Sequence, residues 1–219
     1  MKCIKLIVLL IVVGIAQFAV GQNLIKNGDF EEYENCPVMY RSQKHFLPHW
    51  YSPTQGTPDY YNKCSRGSAG VPKNAVGKIE PQSGRGYTGI CVAGSFYIRA
   101  KSDFTREYIS TKLKQPLKKD QVYCVSFYLS LADYTKFEIQ EIGVYFSENK
   151  VNKIFKKDEL DYEPQVKHTG AFLSNKEDWK LITGIYVAKG GEEYITIGNF
   201  QTDKELRWRQ VQEEVEKDP

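Results

Sequence analysis

Val122–Asp133, VYCVSFYLSLAD, decides how this chain is read. Its odd positions, Tyr123, Val125, Phe127, Leu129 and Leu131, are large and apolar, while Cys124, Ser126, Tyr128 and Ser130 are small or amphipathic. A period of two marks a β-strand with one face buried and the other reachable. Ten residues at about 3.3 Å each span roughly 33 Å, the width of a whole sheet packing. No Gly or Pro interrupts the run, so it is expected to be a central strand.

Further strands follow on both sides of it. Tyr87–Ala93, Phe96–Ala100 and Tyr108–Leu113 precede it, the last joined to it by a turn at Gln115–Asp120. After it come Ile142–Ser147 and Trp179–Ala188, the latter with Trp179, Leu181, Ile185 and Val187 on one side. Lys189-Gly190-Gly191-Glu192 then leads into Tyr194–Phe200, and Gly-Gly between two alternating runs predicts a hairpin. Near the start, Asn23–Tyr33 reads as a short strand, an Asn27-Gly28 turn and a return through Phe30. Glu34–Gly86 is rich in Pro and Gly and lacks periodicity, so a long structured loop with one or two short strands is expected there. Short strands spaced by turns, without a helix pattern, predict an all-β antiparallel sandwich or jelly roll over residues 22–201. Residues 202–219 are strongly charged and read as a tail or a truncated hairpin.

Residues 1–21 carry the pattern of a signal peptide: Lys2 and Lys5, an apolar run, then Ala19-Val20-Gly21 as a small-x-small cleavage site. The mature chain is expected to begin at Gln22 and to be exported to the periplasm, the outer membrane or the extracellular space. Of 30 basic residues the leader removes two, so 28 oppose 27 acidic ones. A chain this near neutrality has no electrostatic footprint for nucleic acid. No second apolar run is long enough to span a membrane. Four cysteines remain in the mature chain, Cys36, Cys64, Cys91 and Cys124. Cys36 and Cys64 lie in loop sequence with few apolar residues of its own, where a disulfide is most useful. Cys91 and Cys124 lie in apolar strands, either bridged or as buried thiols.

NLIKNGDFEEYENCP, WYSPTQGTPDYYNKC, GVPKNAVG, YCVSFYLSLAD and AKGGEEYITIGNF, in this order, resemble the galactose-binding-like jelly-roll domain of Bacteroidetes-type cell-envelope proteins. In that family the domain is often followed by an OmpA-like peptidoglycan-binding domain. The resemblance covers Asn23 to about Phe200 and implies a carbohydrate-binding-module-like sandwich. It also implies a structural calcium ion near the opening NGDFE turn, with Glu31 at the matching position. The family's final IDDV-like strand has no counterpart here, nor does an OmpA-like segment. The resemblance therefore implies a jelly roll that lacks its last strand or replaces it.

Catalysis needs a poised acid, base or nucleophile. His45 and His49 are four apart, but Leu47-Pro48 between them opposes a helix, and no HExxH, CxxC or nucleophile-elbow pattern occurs. A non-catalytic module is therefore expected. Tyr and Trp offer rigid apolar area with a polar tip, which suits sugars. Tyr128 and Ser126 lie on the non-core face of the organising strand, where the resemblance implies a concave ligand face. Tyr145 would join them if Ile142–Ser147 pairs nearby, and Trp50 and Tyr51 line the long loop. The expected partner is a polysaccharide or cell-surface glycan. The alternative is a structural or protein-interaction domain that contacts envelope proteins.

Overall fold

The computed structural model describes residues 21–40, 47–93, 106–155 and 159–211. Residues 1–20 of the expected leader, the expected strand Phe96–Ala100 and His45 lie outside the described residues. In chain order the strands are β1 (Trp50–Tyr51), β2 (Asp59–Asn62), β3 (Lys73–Asn74), β4 (Gly77–Lys78), β5 (Gly86–Gly89), β6 (Ile109–Lys112) and β7 (Val122–Leu129). They continue as β8 (Phe137–Ile139), β9 (Ile142–Ser147), β10 (Val166–His168), β11 (Lys180–Val187), β12 (Tyr194–Gly198) and β13 (Trp208–Gln210). The chain is all-β with antiparallel ladders, and among the described residues no helix is long and apolar enough to cross a membrane.

Two layers form the centre. One is a five-stranded sheet in the order β1-β6-β12-β9-β10, and the other is the ladder of β7 with β11. Alternation decides which side chains meet between them. Ile109, Val144, Phe146, Val166, Ile195 and Ile197 come inward from the sheet; Ile182 and Tyr186 come inward from β11. The odd residues of β7, Tyr123 to Leu129, pack against this core, while its even residues are exposed. Phe146 and Tyr186 stack across the layers with centroids 4.4 Å apart and planes 13° from parallel.

Two expectations are corrected here. The organising strand is not central: among the described residues β7 pairs only with β11. Its alternation specifies one buried face and does not count its neighbours, so both placements suit the same sequence. Nor do β11 and β12 form a hairpin, because β11 pairs with β7 and β12 sits between β6 and β9. The Gly-Gly turn is instead a crossover between layers. Gly190 and Gly191 hold φ of 96° and 94°, which a side chain would oppose. Buried Glu192 then fixes the crossover by accepting the Lys189 and Gly190 N–H groups at 2.8 and 2.9 Å and the Tyr186 hydroxyl.

The remaining segments are tied on by side chains. Asn27 organises the opening turn: its Oδ1 accepts the Glu32 N–H at 2.9 Å, its Nδ2 donates to Glu32 O at 2.7 Å, and its carbonyl receives Trp50 Nε1–H at 2.8 Å. The expected flanking strand is absent, since Asn27 and Phe30 both have positive φ, 48° and 60°. The Pro/Gly-rich region holds more strands than expected, with β2 paired to β5 and β3 to β4. Cys36 and Cys64 are bridged, their Cα atoms 5.9 Å apart, which is compatible with an exported chain. Cys91 and Cys124 carry thiols. Beyond Phe200 the segment expected as a tail or a truncated hairpin turns at Thr202–Glu205 and adds β13 to β8. Buried Arg106 holds it, its guanidinium 2.7 Å from Asp203 Oδ1.

Opening the Cys36–Cys64 bridge frees a 28-residue separation in a region with few apolar contacts of its own. Cys64→Ser should lower unfolding stability by about 2–4 kcal/mol in urea titration. Glu192 generates a pH-dependent expectation. Burial pushes its carboxyl up, but the hydrogen bonds from Tyr186, Lys189 and Gly190 and its own N–H together hold it below the ordinary range. The stabilisation is therefore present above the unfolded glutamate value, about 4.3, and disappears as pH falls through the lower folded value. Glu192→Gln should cost about 1–3 kcal/mol at pH 7, with the gap to wild type narrowing below about pH 4.

Candidate functional site

The outer face of the five-stranded sheet carries one continuous row. The register pairs Tyr51 with Ser110, Ser110 with Thr196 and Thr196 with Tyr145, so four strands present a Tyr-Ser-Thr-Tyr line on the side away from the core. Ser110 Oγ and Thr196 Oγ1 lie 2.7 Å apart and fully buried, forming the floor. A row further along, the Tyr108 ring covers Gly198, where a Cβ would come 2.3 Å from its Cδ1. The Tyr108 hydroxyl donates to Asn199 O at 2.6 Å and accepts the Leu160 N–H at 3.0 Å, closing that end.

Residues from the β9–β10 connection fold over this face. Val151 and Leu160 are buried with Tyr108 and Phe200, and Tyr145 stacks on Tyr162 with centroids 4.6 Å apart and planes 12° from parallel. Lys150 Nζ sits 4.3 Å above the Tyr51 ring, and the Lys153 N–H donates to Pro53 O at 2.6 Å. Between the connection and the end of β9 lies a cleft of about 450 Å³. Tyr145 and Tyr162 wall it, with Asn149, Lys150, Lys153 and Gln165 among its polar lining. That volume is in the range of small-molecule sites. Lys150, Lys153 and Lys189 face it against exposed Glu148; the other acid of the lining, Glu192, is engaged by the crossover. Gln165 is also committed, exchanging hydrogen bonds with Phe146 N and O at 2.7 and 3.1 Å.

Burial dominates the titration of the aromatics. It raises Tyr51 to about 12 and lifts Tyr145 above its ordinary value, the neighbouring Tyr162 adding to the latter. Both phenols are therefore neutral donors at physiological pH. The Tyr51 hydroxyl is buried beneath the connection, with Ser110 and the Val151 backbone as its polar neighbours.

The residues singled out from sequence are not brought together. Ser126 and Tyr128 face outward from β7, Tyr128 at 45% exposure, on the layer opposite to Tyr145. Tyr145 does not join them, because β9 pairs with β12 and β10 rather than with β7. Trp50 points inward, tilted on Phe30 with centroids 5.2 Å apart, and serves the core. Tyr51 and Tyr145 share the outer face of the large sheet, and Ser126 and Tyr128 share the outward face of β7. Glu31 lies elsewhere, where its Oε1 accepts the Arg85 and Gly86 N–H groups at 2.7 and 3.0 Å and shapes the start of β5. Among the described residues no group of three or more His, Cys, Asp or Glu side chains is placed to hold a metal ion. Burial lifts the Glu107 carboxyl, but the Cys91 and Thr57 amides occupy it at 2.8 and 2.9 Å. Tyr162, Lys150 and the hydroxyl floor escaped the sequence reading. Tyr162 sits in LDYEPQ, which has no period, though matching hydroxyls in IST and ITI hinted at the floor.

No family model matches the chain, and no curated protein matches it.

The two tyrosines proposed from sequence should behave differently. Tyr128→Ala, at an exposed position, should change stability by less than about 0.5 kcal/mol. Tyr145→Ala, losing its stack, should cost about 1–3 kcal/mol in the same denaturant titration.

Proposed function

We propose that this chain is an exported, non-catalytic binding module of the bacterial cell envelope that takes carbohydrate in the cleft beside Tyr145 and Tyr162. The observation that carries the reading is the stacked tyrosine pair walling a polar cleft at the end of β9. Aromatic rings match the apolar faces of sugars, and the amide and ammonium groups around them match sugar hydroxyls. Three lysines against one uncommitted acid favour an acidic glycan, such as one bearing uronate. The antiparallel two-layer packing supports the finer reading as a galactose-binding-like jelly roll, and the disulfide supports export to the periplasm, outer membrane or extracellular space.

The second reading is a structural or protein-interaction domain of an outer-membrane OmpA-family protein. It is favoured by the outward face of β7 and β11, where Val122, Tyr128, Leu181, Ile185 and Val187 are exposed. A face of that composition suits protein rather than sugar.

Titration calorimetry against acidic and neutral polysaccharides separates the two. Saturable binding of an acidic glycan is expected, weakened about fivefold by Tyr162→Ala and reduced further by raised salt, as the loss of one stacking contact and screening of lysines require. Absence of saturable binding to every glycan tested, with the protein folded by circular dichroism, would overturn the carbohydrate reading.

A further inference from the structure

The layer opposite the cleft ends in a surface of a different kind. The register of β7 and β11 places four pairs side by side on the outward face: Val122 with Val187, Cys124 with Ile185, Ser126 with Thr183, and Tyr128 with Leu181. All eight side chains are exposed and none is charged. Ile185 is 71% exposed, Val122 61%, Val187 56%, Leu181 48% and Tyr128 45%. An exported chain that leaves five large apolar residues in one ladder face uncovered is presenting an interface.

From these pairs we infer that the face is covered by the same face of a second copy of this chain. Three features select that occupant. An uncharged surface offers nothing for a charged partner to pair with, whereas it packs against itself with no buried unpaired charge. A twofold contact is self-complementary by construction, and two ladders of equal length stack as aligned sheets about 10 Å apart, continuing the layering of the core. The size also fits a weak dimer. Eight residue pairs cover about 27 Å by 10 Å, below the roughly 800 Å² per partner of a standard interface. Association should then be reversible, with a dissociation constant on the order of 10–100 μM. None of the eight residues of this face lines the cleft, so the dimer would leave both clefts open, and it stands whether or not they bind glycan.

The Cys124 thiol, second along β7 in this face, reports on the contact. Sedimentation equilibrium of the full mature chain from about 5 to 500 μM should show a monomer–dimer equilibrium. A short bis-maleimide should cross-link the dimer through Cys124, and Cys124→Ser should abolish the link. Ile185→Glu should raise the dissociation constant at least tenfold. Its side chain is solvent-exposed in the monomer, and unchanged circular dichroism with an intact Cys36–Cys64 bridge checks that the variant folds. A monomer at every concentration overturns the inference. In that case a reactive Cys124 would mean the face awaits a different partner, and a protected one would mean another part of the same chain covers it. A dimer indifferent to Ile185→Glu, or uncross-linked at Cys124, would place the contact elsewhere and overturns it equally.

Discussion

The stack of Phe146 on Tyr186 joins two sheets, neither of which is stable alone. A two-stranded ladder in water is marginal, and a five-stranded sheet with an apolar face must cover it. Phe146 comes from β9 of the large sheet and Tyr186 from β11, and their near-parallel rings meet at the core between the layers. The same Tyr186 turns its hydroxyl to Glu192, which holds the crossover returning the chain from one layer to the other. Packing and connectivity are thus tied at one residue. Ile182 precedes it on the inward side of β11, and Gly184 between them gives room to Val166, whose Cγ1 would lie 2.3 Å from any Cβ there.

Around this centre, order comes from side chains bonded to backbone more than from ladders. Glu31, Glu107 and Glu192 each accept two or more N–H groups from segments with little regular structure, and Asn27 accepts one and donates to the carbonyls of Glu32 and Pro48. A buried amide needs a partner, and where the chain is too irregular to pair with itself a carboxylate or carboxamide substitutes. This use of acids explains how a chain with many of them carries several that are occupied structurally rather than poised for reaction. Arg106 does the reciprocal work, with its buried guanidinium donating to the carbonyl of Gln201 and the carboxylate of Asp203.

The two outward surfaces differ in chemistry. The five-stranded sheet exposes tyrosines, lysines and amides over buried hydroxyls, and the β7–β11 ladder exposes aliphatic side chains with no charge among them. A sandwich buries one face of each sheet and leaves the other free to specialise. Here the wet face suits a polar ligand and the dry face suits a protein surface. Placing both on one small domain would let it bind with one side and assemble with the other, as we propose.

The β character, the alternation of β7 and the extents of β6, β9, β11 and β12 were legible in sequence, because a period of two over four to eight residues has no other stable reading. So was the Cys36–Cys64 bridge, since two cysteines in an unsupported loop have the most to gain from each other. What the alternation could not state was which of two faces is covered, or by what. Leu181, Ile185 and Val187 share one side of β11 as read, but their face is the outward one, Trp179 precedes the strand and packs on Tyr87, and the smaller set of Ile182, Gly184 and Tyr186 meets the core. The grouping of Tyr51 with Tyr145 instead of Tyr128 also depended on strand order, which joins residues 51, 110, 196 and 145 through three separate ladders. Pairing between strands far apart in sequence is chosen by the whole set of apolar faces at once, so only the tertiary structure decides which side chains become neighbours.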